Sequence, residues 1–105
     1  MAIKKGSSPK TFPAKLTITG SGEKASMNIT FHNRKVSEVD ARIKEMEGSK
    51  EPFLPSIVLF LLSDWDTDFS LSLEGIKELE DERPGVCEAI LDLFHAERQA
   101  KREKN

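Results

Sequence analysis

Apolar and polar residues alternate in two early stretches of this chain. Phe12, Ala14, Leu16 and Ile18 alternate with Pro13, Lys15, Thr17 and Thr19; Ala25, Met27, Ile29 and Phe31 alternate with Ser26, Asn28, Thr30 and His32. A period of two predicts strands that each bury one face. Gly20-Ser21-Gly22-Glu23 between them is a turn-rich tetrapeptide. Pairing Ile18 with Ala25 sets Leu16 opposite Met27, Ala14 opposite Ile29 and Phe12 opposite Phe31, so these eight apolar residues share one face. A slip of one residue would break that match, so the pattern itself specifies the register of a hairpin over 11–33. Pro13 has no N–H and belongs on an edge or at a strand start.

An isolated hairpin is marginal in water, and helices must cover its apolar face. Val39, Ile43 and Met46 fall at helical spacing and predict a helix over about 36–47, with Ser37 as N-cap, Asp40 three residues on and Gly48 as the stop. Two prolines make Lys50 to Pro55 a linker. A second helix is expected over 55–65, from Pro55 through the run Ile57 to Leu62 and ending at Trp65. It is apolar nearly all round and therefore central; a strand is the alternative for this stretch. Ser72 reads as the cap of a third helix over 72–82, with Leu71 and Ile76 as a staple and Leu73, Ile76 and Leu79 as its apolar side. The fourth, 84–102, starts at Pro84-Gly85, buries Val86, Ile90, Leu93 and Phe94, and ends in cations that suit a helix C-terminus. The predicted class is α+β: an N-terminal antiparallel β-hairpin packed on a bundle of about four helices, in one domain over 11–105. Gly6-Ser7-Ser8-Pro9 makes residues 1–10 an expected disordered arm.

At 105 residues the chain has room for one modest core. The lone Cys87 cannot form an internal disulfide, which fits a reducing compartment. MAIKKGSSPK has no apolar run behind its charges and is not a secretory signal, and the run Ile57 to Leu62 is too short to span a bilayer. Net charge is −2 but unevenly placed: Asp64 to Glu82 holds eight acidic residues and only Lys77 as a base, while Lys4, Lys5 and Lys10 lead the chain and Arg98, Lys101, Arg102 and Lys104 close it. Solvated faces account for this; the functional alternative is head-to-tail contact between copies. No basic stripe interleaved with aromatics supports nucleic-acid binding.

Candidate chemistry is sparse. Asp64, Asp66 and Asp68 have the spacing that opens an EF-hand loop, but Phe69 stands where Gly is needed and Gly75 where a bidentate Glu is needed. His32 and His95 share no metal-ligand pattern; His95 with Asp92 and Glu88 reads as a helix side facing water. Cys87 near a helix start reads as a buried structural thiol rather than a nucleophile. No catalytic residue, cofactor or metal is expected. Trp65 and Phe69, and Phe53 and Leu54 between the prolines, either close the core edge or serve as anchors for a protein partner.

The C-terminal third carries a resemblance. Trp65-Asp66 leads into an acidic loop, Leu71-Ser72-Leu73-Glu74 opens a helix containing Ile76, then come Arg83-Pro84-Gly85-Val86, Ala89-Ile90 and a last helix running to Arg98 and ending Lys104-Asn105. This order resembles the tail assembly chaperones of long-tailed phages and prophages, over about the last 45 residues. The resemblance implies a non-enzymatic protein of the bacterial host cytoplasm that coats the tape measure protein before tail-tube subunits polymerise, and that is absent from the mature virion. It implies self-association, the tape measure protein and the major tail protein as partners, and no nucleic acid or membrane. A longer frameshifted form is common in such families. Phe53, Leu54, Trp65 and Phe69 become the partner-facing candidates. The alternatives are a structural virion component, such as a minor tail or head-completion protein, and a small protein-binding adaptor.

Overall fold

In the computed structural model, which describes residues 2–103, strands β1 (Thr11–Gly20) and β2 (Glu23–His32) pair antiparallel in the register the alternation specifies, from Phe12 opposite Phe31 to Ile18 opposite Ala25. Lys104 and Asn105, the end of the family-like string, lie outside the described residues. The connection is the two-residue turn Ser21-Gly22, with φ of 50° and 79°. Positive φ at both positions is the type I′ arrangement, whose twist matches that of the strands.

The first helix, α1 (Val36–Met46), differs from expectation at its start. Ser37 lies inside the helix and is not its cap. The Lys35 N–H instead donates to the Glu38 carboxylate at 3.0 Å, so an acidic side chain reaching back from the first turn satisfies a free backbone donor. Past the helix end, Gly48 takes φ of 79°.

The predicted second helix needs correction at both ends. Helix α2 runs from Phe53 to Leu61, so it starts two residues before Pro55. Pro55 is tolerated because a first-turn residue has no intrahelical N–H bond to lose. At the other end, Leu62–Trp65 is a strand, β3, on the open edge of β2. Ile29 pairs with Trp65, Thr30 with Asp64 and Phe31 with Leu62, so Ser63 is an extra, bulged residue. The bulge shifts the side-chain alternation by one, which lets Leu62 and Trp65 both face inward although three positions separate them. The sheet order is β1-β2-β3, which leaves Pro13 on an edge strand.

Two helices complete the fold. In α3 (Leu73–Glu82) the Ser72 hydroxyl accepts from Gly75 N–H at 3.1 Å, the expected cap. Ile76 is buried, but Leu71 keeps over a third of its surface exposed. The last helix, α4 (Val86–Arg98), is shorter than the expected 84–102: Pro84 precedes it, Gly85 caps it at φ of 97°, and it stops at Arg98. Beyond that point Gln99 to Glu103 offers only Ala100 as an apolar side chain, too little to hold another turn against the core.

The inner face of the sheet (Leu16, Met27, Ile29, Phe31) joins Ile57, Val58 and Leu61 of α2, Ile76 and Leu79 of α3, and Val86, Ile90 and Phe94 of α4 in one core. Helix α4 lies against β1, α2 lies against α3 and α4, and α1 leans on α2. Phe12, Phe31 and Phe94 form a closed aromatic triangle with ring centroids 5.3 to 5.7 Å apart, which fastens α4 to the hairpin.

Candidate functional site

The four aromatic and aliphatic candidates divide by burial. Phe53 opens α2 and is 48% exposed. Leu54 beside it is partly buried against the core. Pro52 and Pro55 flank the pair and restrict its backbone, so a side chain in the first turn of a packed helix is presented with little freedom to lose.

Trp65 is not on this surface. It is 9% exposed and belongs to the core, because the β3 bulge turns it inward. Its indole N–H donates to the Phe69 carbonyl at 3.0 Å. Phe69 is partly buried against the same core. Trp65 and Phe69 thus form a unit that pins the acidic loop, separate in the chain from the exposed Phe53.

The acidic loop uses its polar groups internally. Asp64 accepts from the Trp65 N–H at 2.9 Å, and the Phe69 N–H donates to the Thr67 hydroxyl at 3.3 Å. Asp66 accepts from the backbone N–H and the side-chain amide of Asn28. Those bonds, the backbone one above all, hold the Asp66 carboxyl below its ordinary range. Among the described residues no cluster of His, Cys, Asp or Glu has the geometry of a metal site.

Cys87 is fully buried, and its thiol is pushed up to about 12 by burial first and by the neighbouring Glu80 carboxylate second. A thiol in that state is not a nucleophile at neutral pH. Glu80 accepts from the backbone N–H groups of Gly85 at 2.7 Å and Cys87 at 2.9 Å. Burial works against its ionisation, but those hydrogen bonds outweigh it and leave its pKa lowered. A side chain from α3 therefore caps α4, a role that sequence spacing alone does not reveal because the Pro84-Gly85 turn brings the two helices together.

Sequence reasoning also missed two adjoining clefts at the turn end of the hairpin. One, of about 470 Å3, opens between Ile18 and Glu23 and the α3–α4 junction at Arg83, Pro84, Val86 and Ala89. The other, of about 260 Å3, is lined by Leu16, Met27, Phe69 and Leu79, with Asp66 and Asp68 at its mouth. Ile18 and Arg83 line both. The Arg83 guanidinium bridges to Glu23 between them, with Nε 2.9 Å from the carboxylate. The signal in the sequence was the basic residue before Pro84-Gly85, whose partner lies 60 positions away.

The described surface thus holds an exposed aromatic at the start of α2, a pinned acidic loop, and clefts of mixed apolar and charged lining at the hairpin turn. The sequence profile of the family described as phage tail assembly chaperone matches residues 1–105. The chain belongs to the phage tail assembly chaperone family. The match covers the hairpin as well as the C-terminal third. No curated protein and no solved structure matches the chain. Membership of a tail assembly chaperone family implies a non-enzymatic role and work on other tail proteins. Among the described residues, no helix is long and apolar enough to cross a membrane.

Proposed function

We propose that this tail assembly chaperone binds the tape measure protein in the host cytoplasm and keeps it from aggregating until tail-tube subunits enclose it. The observation that carries the reading is the family match over the whole chain. The physics supports it. A long helical client exposes apolar stripes before the tube forms, and a small domain with a presented aromatic can mask them. Phe53, with Leu54 behind it, is the partner-facing anchor; Trp65 and Phe69 act from beneath by fixing the acidic loop. Each contact is small enough to be displaced by tube subunits, and many copies on one client supply the holding strength. The major tail protein is then the displacing partner, and the chaperone does not enter the finished particle.

The test is to delete the gene from the phage or prophage, induce, and inspect particles by negative-stain electron microscopy. Filled heads without tails, rescued in trans, together with co-purification of the tape measure protein and absence of this chain from purified virions by mass spectrometry, support the reading. Normal tails would refute it. Presence of the chain in finished particles would make it a structural virion component instead.

A further inference from the structure

We propose that the N-terminal arm of one copy docks into the hairpin-tip cleft of the next, with Ile3 on the apolar floor and Lys4 and Lys5 against its acidic rim. The inference does not rest on the tape measure reading and holds or fails separately from it.

The donor is unusual. Ile3 is 99% exposed, the most exposed large apolar residue among those described, and two lysines follow it directly. The arm tip is shaped: the Ser7 N–H and hydroxyl both donate to the Lys4 carbonyl, at 3.1 and 2.6 Å, in a turn where Gly6 takes φ of 79°. Its hold on the body is at Pro9 and Lys10, whose carbonyls accept from the side chain and backbone of Asn33.

The acceptor fits that chemistry. The cleft of about 470 Å3 offers the part-exposed Ile18 and Ala89 to an aliphatic side chain, with the buried Val86 behind them. Glu23 and Glu82 stand at its rim, and Asp66 and Asp68 line the adjoining cleft, so four carboxylates face one guanidinium, that of Arg83. The Arg83–Glu23 pair is a surface pair, with side chains 36% and 52% exposed. Such pairs hold little, so an incoming lysine can share Glu23.

Reach decides which copy supplies the arm. From Pro9 back to Ile3 the chain spans at most ~22 Å even when fully extended. From Pro9 forward to Ile18, along an extended strand, the distance is ~30 Å. The backbone of an arm tethered at Pro9 by Asn33 therefore stops ~8 Å short of Ile18 on its own strand even fully stretched, and the Ser7–Lys4 turn shortens it further. Donor and acceptor therefore sit at opposite ends of β1, and the contact is head-to-tail. Repeated from copy to copy, such a contact extends into rows or closes into rings, and two antiparallel copies satisfy it equally by exchanging arms.

Sedimentation velocity of the full chain, from micromolar to near-millimolar concentration, tests this. The wild type should associate as concentration rises, and salt should weaken the association as the Debye length falls to about 3 Å at 1 M. A chain lacking residues 2–8 keeps the cleft but has no arm. Ala89→Arg keeps the arm but fills the cleft with bulk and positive charge, and arginine suits a helix. Each should stay monomeric alone, and the two mixed should give a heterodimer and nothing larger. Ile3→Asp should weaken association by about tenfold or more. Circular dichroism confirms that Ala89→Arg folds; if it does not, Glu23→Lys replaces it. A wild type that stays monomeric throughout, an armless chain that assembles normally, or folded variants that fail to pair on mixing would each overturn the proposal.

Discussion

Asp66 accepts two hydrogen bonds from Asn28, one from its backbone N–H at 2.9 Å and one from its side-chain amide at 2.8 Å. The Asp66 N–H returns a bond to the Asn28 carbonyl at 3.2 Å. A carboxylate thus continues the β2–β3 ladder one step past the strand and ties the acidic loop to the central strand. Replacing Asp66 with Ala should lower the melting temperature at pH 7. Because the folded-state pKa is depressed, the stabilisation is present above the unfolded value of 3.8 and is lost as pH falls through the folded one. Melting curves of wild type and Asp66→Ala should therefore differ at neutral pH and converge in acid. A constant gap would mean that the charge is not what holds the loop.

Trp65 and Phe53 should separate folding from binding. Trp65 is a core side chain whose indole also bonds the Phe69 carbonyl, so Trp65→Ala should cost about 3–5 kcal/mol, read from urea melts. Phe53 is nearly half exposed, so Phe53→Ala should change stability by less than about 1 kcal/mol. The same variant should weaken co-purification of the client. Equal losses of stability at both positions would remove Phe53 as a surface anchor.

The hairpin was legible because a period of two allows one register in which Phe12, Ala14, Leu16 and Ile18 all meet apolar partners, and that register is the one formed. The cap at Ser72 was legible for the same reason: one residue type answers one local need. Strand β3 was not. Leu62 to Trp65 continues an apolar run, and periodicity cannot tell a buried strand from a buried helix over so few residues. What decides it is the free edge of β2, a partner distant in sequence. The sequence leaves Trp65 open between core edge and anchor, because only the bulge at Ser63 turns it inward. The clefts and the Glu80 cap arise where separate elements meet, so no single segment encodes them.

Gly75 is required by close approach rather than by backbone conformation. A Cβ placed there would lie 1.9 Å from the Ser70 carbonyl oxygen, which is backbone and cannot swing away. Ser70 is fixed in turn by the Ser72 N–H donating to its carbonyl and by its hydroxyl meeting that of Ser72 at 2.7 Å. Although alanine is the better helix former, Gly75→Ala should destabilise the fold by about 1–3 kcal/mol, the usual cost of overpacking. Faster proteolysis at the 66–72 loop should accompany it. A neutral or stabilising result would show that Ser70 does not pack against α3 in solution.

Glu80 and Cys87 make the last prediction. The Glu80 carboxylate satisfies the N–H groups of Gly85 and Cys87, which would otherwise be free donors at the start of α4. Its charge also favours that end of the helix. Glu80→Ala should cost about 1 kcal/mol, as loss of an N-terminal cap does. The wild-type contribution is present above the unfolded value of 4.5 and disappears as pH falls through the lowered folded value, so the variant should differ little in acid. Cys87 supplies an independent readout. Buried, and with its pKa pushed up to about 12, the thiol should react very slowly with a disulfide reagent at pH 8. Removing Glu80 takes away the nearby negative charge and loosens the first turn of α4, so labelling of Glu80→Ala should be faster than that of wild type under native conditions. Unchanged labelling together with unchanged stability would show that α4 holds its first turn without help from α3.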